Sequence, residues 1–101
     1  MKIKASIQNN VTSVKMLIPH PMETGRRKDQ SGALVPAHFI TEVTASCGGD
    51  TVFRAELGPG VSKDPYLSFQ FDGAKAGDML SVSWVDSKGE SGKGEAAIAA
   101  M

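Results

Sequence analysis

The sequence predicts an all-β fold, an immunoglobulin-like antiparallel β-sandwich of about seven strands in a single domain spanning residues 1–101. Three observations carry this. Short runs of alternating apolar and polar residues recur along the chain, turn signals built from Gly, Asn or Pro separate them, and no stretch has a helical period of useful length. A length of 101 residues suits one domain with one hydrophobic core. The likeness to an immunoglobulin domain is architectural, because the single cysteine, Cys47, rules out the Cys…Trp…Cys signature.

Residues 2–8 place Ile3, Ala5 and Ile7 on one side and Lys2, Lys4, Ser6 and Gln8 on the other, as in a half-buried strand. Asn9-Asn10 supplies the turn, and residues 12–18 return with Val14, Met16 and Ile18 on one face. Residues 37–47 alternate again, with Phe39, Val43, Ala45 and Cys47 on one face and His38, Ile40, Glu42, Thr44 and Ser46 on the other. Gly48-Gly49 reads as a tight hairpin turn into a strand over 51–57 with Phe53, Ala55 and Leu57 inward. A Pro- and Gly-punctuated loop over 58–65 leads to a strand at 66–72, whose core face is Leu67, Phe69 and Phe71. Residues 73–78 turn the chain into a strand with Leu80, Val82 and Trp84 inward. Asp86-Ser87-Lys88-Gly89 makes a hairpin turn, and residues 90–99 form the last strand.

The long segment from Pro19 to Pro36 interrupts this pattern. It lacks apolar periodicity yet carries His20, Met22, Glu23 and the basic run Arg26-Arg27-Lys28. Loops of such length in a compact domain are functional or disordered. The prolines around His20 stiffen the segment and favour an ordered loop.

Lys plus Arg and Asp plus Glu balance at 11 each, so composition does not direct the chain to nucleic acid or to an anionic membrane. No stretch approaches the length of a membrane span, and the alternating amino terminus does not read as a signal peptide. One cysteine excludes an internal disulfide and taken alone suggests a reducing compartment.

A polar outer face is expected of a solvated antiparallel sheet. Here Ile40, Val52, Tyr66, Met79 and Val85 fall on the face opposite the core, which predicts a protein interface if they adjoin. Self-association through this face is one reading of it.

No catalytic constellation emerges. Cys47 reads as a small buried hydrophobe, inert as a thiol. A blue-copper centre fails on order, because both histidines precede the cysteine. No paired carboxylates, phosphate loop or zinc spacing is present, and the chain reads as a binding module rather than an enzyme. The alternative from another class is a small metal-binding sandwich using His20, Met22 and His38.

Several blocks at matching separations carry a resemblance. They are His20-Pro21-Met22-Glu23-Thr24-Gly25, Pro36-Ala37-His38-Phe39-Ile40, the run from Gly60 to Phe69, and Val82-Ser83-Trp84-Val85-Asp86-Ser87-Lys88-Gly89. Across Ile3 to about Ile98 the chain resembles the SoxZ family. The resemblance implies the non-catalytic subunit of a sulfur-carrier heterodimer with a SoxY-type partner, whose terminal Gly-flanked cysteine carries the sulfur substrate. It also implies transient docking to a c-type haem protein, a manganese hydrolase and a sulfur dehydrogenase, with no cofactor of its own. It implies a periplasmic location reached with the signal-bearing partner, which displaces the lean toward a reducing compartment. Cys47-Gly48-Gly49 is no carrier arm, because it lies inside a hairpin while such an arm needs terminal freedom. The apolar face is then the expected carrier interface. The 19–36 loop, His38, Lys63 and Asp64 are the expected enzyme-docking residues, with Arg26, Arg27 and Lys28 attracting acidic surfaces or the anionic sulfur species.

Overall fold

The computed structural model describes residues 1–101 and contains no helix. Its strands are β1 Lys2–Gln8, β2 Val11–Leu17, β3 Ile40–Cys47, β4 Asp50–Glu56, β5 Tyr66–Asp72, β6 Met79–Asp86, β7 Ser91–Ala97 and β8 Ala99–Ala100. They form a 4-stranded sheet in the order β5-β2-β1-β8 and a second 4-stranded sheet in the order β4-β3-β6-β7. All pairings are antiparallel except β1 with β8. This is the predicted sandwich.

The tight turns follow from backbone chemistry. Asn9 and Asn10 both adopt positive φ (53° and 65°), as do Gly48 and Gly49 (61° and 87°). These are the residue types that tolerate the two-residue hairpin geometry. The inward faces of β2, β3 and β6 meet in the core, where Val14, Met16, Val43, Ala45, Leu80 and Val82 are buried. Complete burial of the Val, Met and Leu side chains among them stabilises by about 1.5–3 kcal/mol each.

Two expectations change. The predicted last strand breaks at Ile98, which is only 2% exposed and plugs the core. The chain then crosses to the other sheet, where Ala99 and Ala100 pair with Ser6 and Ile7. Alternation cannot reveal such a crossing, because small alanines flank the plug on both sides.

The second change concerns Ile40. Strand β3 shifts register against β6 between Ile40 and Glu42, leaving Thr41 as an extra residue. A bulge of this kind reverses the side-chain phase on one side of it. Ile40 is therefore fully buried rather than outward. The predicted apolar face does not form a single surface. Tyr66 lies on the opposite sheet from Met79 and Val85, which sit at opposite ends of β6. Val52, skipped in the register of β4 against β3, is half-buried and packs against the core.

Candidate functional site: a buried histidine–aspartate cluster

The inward phase of β2 does not stop at the strand end. Val14, Met16 and Ile18 are followed at the same period by His20 and Met22, all of them buried. The inward phase of β6 likewise runs Leu80, Val82, Trp84, Asp86, and the bulge at Thr41 gives His38 the same inward sense as Ile40. Three segments therefore deliver polar groups to one end of the core. Burying them requires that they satisfy one another.

They do so around one carboxylate. His20 Nε2 lies 3.0 Å from Asp86 Oδ2, and His38 Nε2 lies 2.7 Å from the same oxygen. The other oxygen, Oδ1, accepts the backbone N–H groups of Lys88 (3.0 Å) and Glu90 (2.9 Å). The partners define the proton positions. The Met22 N–H donates to His20 Nδ1 at 3.1 Å, so the hydrogen of the neutral ring must sit on Nε2 and point at Asp86. His38 Nε2 faces both Asp86 and the exposed Glu90 Oε2, at 3.3 Å, and only a donor suits two carboxylates. The two imidazoles meet edge-on at 4.6 Å, and Trp84 meets His20 edge-on at 5.3 Å. Burial opposes the charge on Asp86, but the hydrogen bonds from His20 and His38, then those from Glu90 and Lys88, outweigh it. The carboxyl is held well below the usual carboxylate range.

As a metal centre this donor set fits poorly. His20, His38 and Asp86 converge within 4.8 Å. Yet both Nε2 atoms carry hydrogens, and the Met22 N–H blocks the tautomer that would free His20 Nε2 for a metal. The Met22 sulfur itself accepts the Ile40 N–H at 3.3 Å. The cluster is a hydrogen-bonded knot tying the segment after β2, the approach to β3 and the β6–β7 hairpin.

That knot anchors the 19–36 loop, which is ordered by its own backbone. Glu23 and His38 exchange N–H to carbonyl bonds at 2.7 and 2.9 Å, and Lys28 bridges to Leu34 further out. The Asp29 carboxylate closes the tip by accepting the Ser31 N–H and hydroxyl and the Ala33 N–H. Arg27 donates from both Nε and Nη2 to Glu23, so this part of the basic run is internally neutralised. Arg26, Lys28 and Lys63 remain exposed. Asp64 clasps His20: its carboxylate accepts the His20 N–H at 3.0 Å and its own N–H donates to the His20 carbonyl at 2.9 Å.

Sequence reasoning reads Asp86 only as a turn residue. The signal is nevertheless present, because Asp86 continues the inward alternation of Leu80, Val82 and Trp84. An inward carboxylate demands buried donors. Cys47 is half-buried, and burial first, then the nearby Asp78 and Asp50, push its thiol up, which disfavours the reactive thiolate.

Among curated proteins none matches the chain. A family model described as "Sulphur oxidation protein SoxZ" matches residues 1–97, nearly the entire chain. With the all-β sandwich and the blocks around His20, His38 and Asp86, the match shows that the chain belongs to the SoxZ family of sulphur oxidation proteins.

Proposed function

We propose that the protein is the non-catalytic subunit of a periplasmic sulfur-carrier heterodimer. It holds a SoxY-type partner whose terminal cysteine arm carries the sulfur substrate, and it helps present that arm to the c-type haem protein, the manganese hydrolase and the sulfur dehydrogenase. The observation that carries this reading is the family match over residues 1–97. Three features support it. The one thiol is half-buried with its acidity suppressed. The histidines spend their Nε2 hydrogens on Asp86. The 19–36 loop is a hydrogen-bonded surface feature tied to the core, as suits recognition.

The carrier contact belongs on the open side of the sandwich between the edge strands β4 and β5. There Phe53 stacks on Phe69 with ring centroids 4.2 Å apart, and Phe71 lies beside them. Leu57 and Leu67 accompany them as partly buried neighbours of the core. Permanent subunit interfaces are apolar and rich in aromatics, which these half-covered rings offer.

Native mass spectrometry of the untagged chain, purified from the periplasm of cells grown on thiosulfate, tests the reading. The expected species is a one-to-one complex with a chain ending in a Gly-flanked cysteine that bears additional sulfur mass. A lone monomer, a homodimer or a stoichiometric metal adduct would overturn it.

A further inference from the structure

Strand register gathers onto one surface lysines that the sequence separates. Lys4 stands directly opposite Lys15, and Lys2 stands opposite Leu17 at the same end of the sheet. Leu17 is in turn paired with Tyr66 on β5. Lys2, Lys4 and Lys15 are exposed, Leu17 is half-buried, and Tyr66 is 60% exposed. Together they line an open depression of about 320 Å³.

This surface carries an uncompensated cost. Like charges directly opposite on neighbouring strands are destabilising. None of these lysines forms an ion pair, although elsewhere Arg27 pairs with Glu23 and Arg54 with Glu42 and Glu56. The carboxylate that shares the outer face of these strands, Asp72, stands at the far end of β5. Unpaired charge of one sign therefore frames the exposed Tyr66 ring and the half-buried Leu17 beside it.

We propose that this face docks the acidic surface of a visiting enzyme, whose carboxylates meet the lysines while an apolar side chain seats between Leu17 and Tyr66. The occupant follows from charge complementarity and from the residue types. Closed, permanent interfaces are depleted in lysine, whereas complementary charge mainly speeds the encounter of transient partners. A nucleic acid is disfavoured because its binding is driven by neutralising many phosphates, whereas this face offers three lysines on a chain of net charge +0. The proposal rests on the reading above, in that the visitors are the enzymes that act on the carrier complex.

The test uses the intact heterodimer on a sensor surface, with the purified c-type haem protein and manganese hydrolase as probes. Ionic strengths of about 0.01 M and 0.15 M span Debye lengths of about 30 and 8 Å. For at least one enzyme, the combined Lys2→Gln, Lys4→Gln, Lys15→Gln variant is expected to associate about tenfold more slowly at low salt and with a flattened salt dependence. Tyr66→Ala is expected to leave the association rate unchanged and quicken dissociation. Wild-type association rates for both enzymes would overturn the proposal. So would a variant heterodimer that falls apart, which would make this face the subunit contact, or a defect confined to binding anionic phosphatidylglycerol vesicles. Failure of the wild-type chain to form the heterodimer at all would instead remove the underlying reading, and this proposal with it.

Discussion

Asp86 is the residue on which the pole of the sandwich closes, because its carboxylate receives hydrogen bonds from three segments of chain. Leaving a buried donor without its partner costs about 1–3 kcal/mol, and Asp86→Ala, which orphans the His20 and His38 donors together, is expected to cost at least about 2 kcal/mol by urea unfolding. Each kcal/mol lowers the melting temperature of a domain this size by about 4–8 °C. The depressed acidity of Asp86 also sets a pH dependence. Its folded-state pKa lies below the unfolded value of about 3.9, so its contribution is complete above that value and is lost as pH falls below it. Stability measured from pH 6 to pH 2 should fall for the wild type, with a shallower fall in Asp86→Ala; parallel curves would deny the carboxylate this role. Ile40 and Val85 separate core from surface. Ile40→Ala is expected to cost about 2–5 kcal/mol, while Val85→Ser, at a side chain that is 46% exposed, should change stability by no more than about 0.5 kcal/mol. Equal losses would contradict the bulge-reversed phase of β3.

At the scale of elements, β7 is shaped by what lies across from it. Its sequence, Ser-Gly-Lys-Gly-Glu-Ala-Ala, is a poor strand former by propensity. It is a strand because it pairs with β6 along its whole length, and glycine at position 92 leaves room for the Trp84 indole. A Cβ on Gly92 would sit 2.4 Å from Trp84 Nε1. Gly92→Ala is therefore expected to destabilise the protein by about 1–3 kcal/mol through overpacking, and to shift the Trp84 emission as the indole leaves its place beside His20. An unaltered emission spectrum with wild-type stability would show that the strand yields freely. The elements themselves are legible in the sequence, since alternation and turn chemistry locate seven of the strands. Where the sequence misleads, a local irregularity intervenes. The extra Thr41 in β3 turns Ile40 and His38 inward, and Ile98 divides the last strand. Neither event leaves a mark in composition.

The whole molecule is elongated, measuring 53 × 22 × 17 Å. Its radius of gyration is 15.7 Å, against about 13 Å for a compact chain of 100 residues. Its surfaces divide by chemistry into a lysine-framed outer face on β1 and β2, an aromatic open side between β4 and β5, and an ordered loop at the pole above the histidine knot. In the proposed function the permanent contact lies on the aromatic side. Phe53→Lys is expected to weaken the proposed heterodimer tenfold or more, the scale of a well-buried aromatic anchor, while circular dichroism still reports the folded sandwich. An unchanged dissociation constant by sedimentation would move the carrier contact elsewhere.

The sequence by itself determined the fold class, the turns and most of the inward residues, because these depend on side-chain period and on local backbone preference. It also carried the family, through blocks of residues at characteristic separations. It gave both histidines, but as loop residues with Met22 rather than as the donors that hold Asp86. Only the tertiary structure decided which inward polar groups meet, because that depends on three strand phases ending at one pole and on a bulge. Only the register decided that Lys2, Lys4 and Lys15 form one face of a chain whose net charge is +0. Charge balance is a sum over the chain, whereas recognition depends on where strand pairing places each charge.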